Sequence, residues 1–120
     1  MKDWLECRDK DLGVIEEEVR KWGRYNFPDA TAEDQFFGMV EEIGEIAHAI
    51  LKGRQKIREH SDGDTQKIDD GVRDGIGDLL IFLINYCDRE GWNMLEILQD
   101  TWAVVRLRDW IKYPENGLDK

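Results

Sequence analysis

Residues 74–90 read DGIGDLLIFLINYCDRE, and the six apolar residues at the centre of this stretch, 79–84, decide the fold class. An apolar run of this length suits either a buried strand or a buried helix. The chain has no proline between Pro28 and Pro114, which favours long helices. We therefore expect a helix over residues 67–90. Because this helix is apolar on every side, it must be covered on every side, and we expect a subunit interface along it.

Apolar residues at helical spacing predict three further helices. The first covers about residues 10–25. The second begins after Thr31, a good N-cap residue, and Gly53 is a plausible stop. The fourth begins after Asn93, also a good N-cap residue, and fades near Trp110.

The whole chain, residues 1–120, fits a single domain, because 120 residues leave little room for two. We expect an all-α four-helix bundle with a core over about residues 10–110. Residues 54–66 are polar and charged, so we expect a mobile loop there. Residues 111–120 form a tail. A chain this short buries a modest core, so oligomerisation would add burial.

The composition excludes several classes of protein. The net charge is −10 and no basic stripe is visible, so a nucleic-acid binder is not expected. The longest apolar run is too short to span a bilayer, and no apolar signal segment is evident, so we expect a cytoplasmic protein without a membrane partner. Two cysteines do not suggest a disulfide framework. The acidic residues either form a solvated surface or gather around divalent cations.

Five acidic residues form two clusters at helical spacing. Glu41, Glu42 and Glu45 project into one sector of the second helix, at about 100° per residue. Asp74 and Asp78 lie one turn apart on the third helix, and Asp78 should lie at the edge of the core because it directly precedes the apolar run. Mg²⁺ prefers a few carboxylates plus water, which two facing helices can supply. The alternative is that these residues are ordinary surface acids.

Three glycines accompany these acids inside helices, where each glycine costs about 1 kcal/mol against alanine. They are Gly44, Gly75 and Gly77. Their position predicts either close approach of the two helices or space for a ligand.

The two acidic segments resemble the motifs of a known family. Glu41-Glu42-Ile43-Gly44-Glu45 is similar to the EExxE motif of the MazG-like nucleoside triphosphate pyrophosphohydrolases, in the all-α NTP pyrophosphatase superfamily. Asp74-Gly75-Ile76-Gly77-Asp78 resembles the second motif of that family, ExxD before an apolar run. The resemblance covers roughly residues 10–110 and is greatest for the short phage and bacterial members. It departs at Gly75, where the family motif has glutamate, although Asp74 lies one residue earlier.

The resemblance implies hydrolysis of (deoxy)nucleoside triphosphates to the monophosphate and pyrophosphate, in nucleotide-pool housecleaning. It implies Mg²⁺, with Mn²⁺ as a substitute, held between the second and third helices, and a homo-oligomer of two or four chains. The metal ligands carried over are Glu42, Glu45, Asp74 and Asp78. The catalytic set is Glu41, Glu42, Glu45 and Asp78, with Glu41 positioning or deprotonating the attacking water.

Four further residues are candidate substrate contacts, and each has a structural alternative. Lys52 and Arg73 lie on the metal-bearing helices and either bind phosphate or are solvated charges. Asn85 either binds a base edge or is a core amide. Trp22 either stacks on a base or fills a core or interface. Three alternatives to this enzyme are a degenerate nucleotide- or metal-binding oligomer with a regulatory role, a structural helical oligomer, and a hydrolase of another pyrophosphate-containing compound.

Overall fold

The computed structural model describes residues 10–55 and 65–119, and within them the protein consists of four helices without a strand. The predicted all-α class is thus confirmed. The helices are α1 (Leu12–Asn26), α2 (Ala32–Gln55), α3 (Thr65–Glu90) and α4 (Met94–Val105). None of these helices is both long enough and apolar enough to cross a bilayer.

Local capping hydrogen bonds set the starts of α1, α2 and α4, which lie close to the predicted positions, whereas α3 begins at Thr65 and not at the predicted residue 67. The carboxylate of Asp11 accepts from the Val14 amide at 2.9 Å and caps α1. Thr31 and Asp34 cap α2 reciprocally, with bonds of 3.2 and 2.9 Å, so aspartate takes the usual place of glutamate in a capping box. The side chain of Asn93 caps α4.

The loop between α2 and α3 is shorter than predicted. Residues 56–64 lie outside the described residues, whereas residues 54–55 and 65–66 are helical. Gly53 therefore does not end α2. A Cβ added at Gly53 would lie 3.3 Å from Cδ1 of Ile68, so this glycine allows α2 to approach α3 closely.

The end of α4 also differs from the prediction, since this helix stops at Val105 and not near Trp110. The carboxylate of Asp109 accepts hydrogen bonds from the amides of Ile111 and Lys112, at 3.1 and 2.9 Å. These bonds organise a turn in place of a further helical turn. The predicted tail therefore starts earlier than residue 111.

Helices α2 and α3 form an antiparallel pair that is the main packing unit of the fold. A Cβ added at Gly38 would overlap the ring of Phe82, and one added at Gly75 would lie 2.5 Å from Cγ1 of Ile46. The residue contacted on α2 moves forward from Gly38 to Ile46 while the one on α3 moves back from Phe82 to Gly75, so the helices run in opposite directions. Glycine at both crossings removes the side chain that would hold the backbones apart.

Helices α1 and α4 are attached to this pair by buried polar contacts. Glu16 of α1 is 1% exposed, and its carboxylate accepts hydrogen bonds from Arg20 at 2.8 Å and from the Leu95 amide at 3.0 Å. The guanidinium of Arg89, near the end of α3, donates to the carbonyl of Gly23 in α1 and to two carbonyls between α1 and α2, those of Phe27 and Ala30. Since buried charges need such partners, these two residues fix how α1 and α4 sit on the pair.

Many large apolar side chains of the described residues are exposed. Among the described residues, the buried hydrophobic side chains are Ile84 and Cys87, the latter a free thiol. The described residues do not cover α3 on every side, since Ile76, Leu80 and Ile81 are exposed. Five apolar side chains on one side of the α2–α3 pair are each about half exposed, and we call this surface the apolar face. They are Phe36, Val40, Ile43, Ile76 and Leu80.

Candidate metal and phosphate site

Glu42 and Asp78 face one another across the α2–α3 pair. The two glycine crossings place Gly38 beside Phe82 and Ile46 beside Gly75. Glu42 is midway between the α2 residues of these crossings, and Asp78 is close to midway between the α3 residues. The register of the antiparallel helices therefore brings the two predicted motifs to the same level.

The electrostatics of Glu42 show that the acids act on one another. Glu42 is half-buried, and partial burial together with the nearby charges of Glu45, Asp78 and Glu41 raises the pKa of its carboxyl. A hydrogen bond between the carboxyls of Glu42 and Glu45 raises this pKa further. Four of the five predicted acids thus form one cluster, which we call the acidic cluster.

The fifth acid, Asp74, is not part of the acidic cluster, and the environment of Asp78 differs from the prediction. Asp74 does not contribute to the pKa shift of Glu42. Asp78 is exposed and does not lie at the edge of a core. Asp78 therefore does not need a cation to offset the cost of burying a lone carboxylate. The reason to expect a cation is instead the repulsion between the carboxylates around Glu42.

The acidic cluster has the donor chemistry that Mg²⁺ requires, but its side chains are not arranged as a closed site. The charges that act on the Glu42 carboxyl are those of the neighbouring carboxylates, and each of them raises its pKa. Hard carboxylate oxygens on two helices suit Mg²⁺. Within the described residues, however, no three acidic, histidine or cysteine side chains converge on one point. Binding would require the exposed side chains to change rotamer.

The three glycines near the acids have different environments. Gly75 is buried against Ile46, so a larger side chain there has no space. Gly44 and Gly77 have no atom within 4 Å of an added Cβ. Close approach of the helices thus accounts for Gly75, and open space surrounds the other two.

Comparisons with protein-family models, curated proteins and solved structures give no match to this chain.

The two predicted phosphate contacts lie on different sides of the α2–α3 pair. Lys52 follows Glu45 by seven residues, so helical geometry places it within about 20° of Glu45 around α2. Arg73 is about 140° from Asp78 around α3. It lines a cleft of about 470 Å³ with Arg54, Ile50 and Ile68 among others. The structure therefore keeps Lys52 on the side of the acids and separates Arg73 from them.

Trp22 lines an apolar cleft that lies one turn from the acidic cluster. This cleft of about 250 Å³ is formed by α1 and α3, and its walls include Ile15, Val19 and Ile81. Ile81 follows Asp78 by three residues, which is the next turn of the same helix. Trp22 is half exposed and contacts Phe27 edge-to-face, with 5.7 Å between ring centroids. The one signal for Ile81 in the sequence is its position three residues after Asp78.

Asn85 lies inside the packing between α1 and α3 and not in an open site. It is 3% exposed, and a Cβ added at Gly23 would overlap its amide. Its Oδ1 has no hydrogen-bond partner within the described part of the chain. Of the two alternatives, the structure favours the core amide.

The raised pKa of Glu42 predicts that removing its charge stabilises the metal-free protein. Ionisation of Glu42 destabilises the native state, and this penalty is full above the raised pKa and vanishes as the pH falls below the ordinary glutamate value. We expect Glu42→Gln to unfold at a slightly higher temperature than the native protein at neutral pH in EDTA, and the difference to vanish in acid.

Thermal unfolding followed by circular dichroism across a pH series measures this difference. Glu115→Gln, an exposed carboxylate in the C-terminal segment, is the matched control and should show no such dependence on pH. Added Mg²⁺ should raise the unfolding temperature of the native protein more than it raises that of the Glu42→Gln variant. A variant that is less stable than the native protein at every pH would contradict the repulsion.

Proposed function

We propose that this protein hydrolyses (deoxy)nucleoside triphosphates to the monophosphate and pyrophosphate in a Mg²⁺-dependent reaction. The observation that supports this proposal is the acidic cluster, in which carboxylates from two antiparallel helices repel one another and raise the pKa of Glu42. Divalent cations that bind together with a triphosphate would relieve that repulsion. The order and spacing of the two motifs, which resemble those of the MazG-like enzymes, supply the reaction class.

Glu42, Glu45 and Asp78 would hold the metal, with Asp74 as an additional ligand one turn along α3. Mg²⁺ would neutralise the phosphate oxygens and lower the pKa of a bound water. Its replacement by Mn²⁺ should preserve activity, since both are hard cations that prefer oxygen ligands.

The remaining acid, Glu41, is assigned to the water. Water attacks the α-phosphorus, its proton passes to the Glu41 carboxylate, and the bond from the α-phosphorus to the oxygen bridging to the β-phosphorus breaks. Pyrophosphate leaves with that oxygen. Glu41 is exposed and is close enough to influence the pKa of Glu42, so it can contact both solvent and a bound phosphate.

The substrate would lie across α2 and α3 with its base towards α1. The apolar cleft beside Trp22 would take the base, since its aromatic and aliphatic walls suit a stacked ring. Lys52, on the side of the acids, would contact the phosphates. Arg73 is not assigned a phosphate, because it lines the cleft on the other side of the pair.

A nucleotide- or metal-binding protein without turnover is the second candidate. Two observations favour it: the acids do not converge as three ligands in the described part of the chain, and Gly75 replaces the motif glutamate. In either case we propose a cytoplasmic homo-oligomer, because another copy of the chain would cover the exposed apolar face.

The deciding experiment is pyrophosphate release from a panel of ribo- and deoxyribonucleoside triphosphates, with Mg²⁺, with Mn²⁺ and with EDTA. We expect release that requires the metal and leaves the monophosphate. Release of orthophosphate would contradict cleavage at the α-phosphorus. Metal-dependent nucleotide binding without release would establish the second candidate, and neither binding nor release would exclude both.

A further inference from the structure

The C-terminal part of the chain projects from the helical body as an arm. Every residue from Glu96 to Lys112 is exposed. The arm is attached at its start, where the Leu95 amide donates to the buried carboxylate of Glu16 at 3.0 Å. We use "the arm" for residues 96–119.

The far end of the arm is a defined structure. The Asp109 amide donates to the carbonyl of Gly117 at 2.8 Å, and the amides of Tyr113 and Gly117 donate to the carbonyls of Asp109 and Tyr113 at the same distance. Gly117 has a φ of 75°, which favours glycine, and an added Cβ would lie 2.8 Å from Cβ of Arg108. These interactions fold the end of the arm upon itself, so its exposed side chains are held in place.

The arm exposes more apolar surface than a solvated segment would. The exposed fraction is 97% for Ile111, 65% for Leu107, 59% for Trp102 and 54% for Trp110. Taking roughly 150–250 Å² for each large side chain, these four and the neighbouring valines and leucines expose on the order of 800 Å². A standard protein interface buries about 800 Å² on each partner.

One stretch of the arm, residues 106–112, is opposite in charge to the body, whereas the arm as a whole carries a net charge of −2. Residues 106–112 contain Arg106, Arg108 and Lys112 against one carboxylate, a net +2, which leaves −12 for the rest of the chain. That carboxylate, on Asp109, accepts hydrogen bonds from two main-chain amides. This apolar and cationic stretch is therefore complementary to an acidic partner that has an uncovered apolar surface.

We propose that the arm packs against a second copy of this chain. The body of another copy supplies both properties, the acidic charge and the apolar face on α2 and α3. Two copies related by a two-fold axis exchange arms, so that the arm of each copy covers the apolar face of the other. Both apolar faces are then buried, and the assembly ends at two chains. This interface does not rest on the proposed hydrolase activity, because no catalytic residue belongs to it.

The test uses the full chain and three proteins: the native protein, Ile111→Glu and the control Gln99→Glu. Sedimentation velocity over a series of concentrations gives the self-association constant. Ile111 is 97% exposed in one chain, so its substitution should leave circular dichroism unchanged. Gln99→Glu adds the same charge to the polar side of α4. We expect Ile111→Glu to weaken self-association by at least about 30-fold, as for a central interface residue, and Gln99→Glu to change it little.

Hydrogen exchange of residues 96–112 provides a second measurement that needs no variant. We expect these amides to become protected as the concentration rises through the association range, because an uncovered helix of 12 residues is marginal in water. A native protein that stays monomeric, which would leave the arm to a different protein, overturns the proposal. So does self-association that Ile111→Glu does not weaken, or exchange that is independent of concentration.

Discussion

Glu42→Gln and Asp78→Asn are each expected to lower kcat for pyrophosphate release by at least about 10²–10³-fold, the loss typical of removing one preorganised electrostatic group. The two residues face one another on α2 and α3, and each substitution removes a negative charge while keeping the size of the side chain. A site that holds Mg²⁺ between two helices should fail when either helix loses its ligand.

Initial rates with the best triphosphate of the panel measure these losses, over a range of Mg²⁺ concentrations. The matched controls are Glu33→Gln on α2 and Asp69→Asn on α3, which remove a charge from the same helices away from the cluster. Near-native rates in the controls and collapse in both test variants would place the reaction at the acidic cluster. Activity that survives in either test variant would exclude the proposed two-helix site.

The role of Glu41 can be separated from that of the metal ligands by the same substitutions. Asp78→Asn should raise the Mg²⁺ concentration needed for half-maximal activity, whereas Glu41→Gln should lower kcat with little change in that concentration. Asp74→Asn should have the smallest effect on both, because Asp74 does not act on Glu42.

Local features of the fold could be predicted from the sequence because their causes lie within a few residues. Thr31 and Asn93 mark the starts of α2 and α4 because each caps an amide three residues ahead. The ends were harder. Gly53 has the residue type of a helix stop, but in the structure it allows close contact with Ile68 of α3. Helix α4 ends before Trp110, where hydrogen bonds to Asp109 form a turn.

The candidate site shows the same division. The spacing of Glu41, Glu42 and Glu45 predicts a shared sector, since it depends on one helix alone. That Glu42 and Asp78 stand at the same level depends on the register of two helices. The sequence does not decide between a base contact and a core amide for Asn85, because its burial depends on how α1 packs on α3.

Gly75→Ala is expected to destabilise the protein by about 1–3 kcal/mol, the usual cost of overpacking. A Cβ at this position would lie 2.5 Å from Cγ1 of Ile46, so α2 and α3 would have to move apart or Ile46 change rotamer. Gly77→Ala is the matched control on the same helix. It meets no atom within 4 Å and should stabilise the protein by about 0.5–1 kcal/mol through helix propensity.

Urea unfolding at one fixed protein concentration measures both free energies. Opposite signs for the two alanine variants would confirm that Gly75 is fixed by the helix crossing, whereas a stabilising Gly75→Ala would contradict it. Gly75→Glu should destabilise more than Gly75→Ala, because a longer side chain must leave the same crossing. Glutamate therefore cannot be restored at the position where the family motif has it without disturbing the pair that brings Glu42 and Asp78 together. Asp74, one residue earlier and exposed, is the acid that this crossing leaves available in its place.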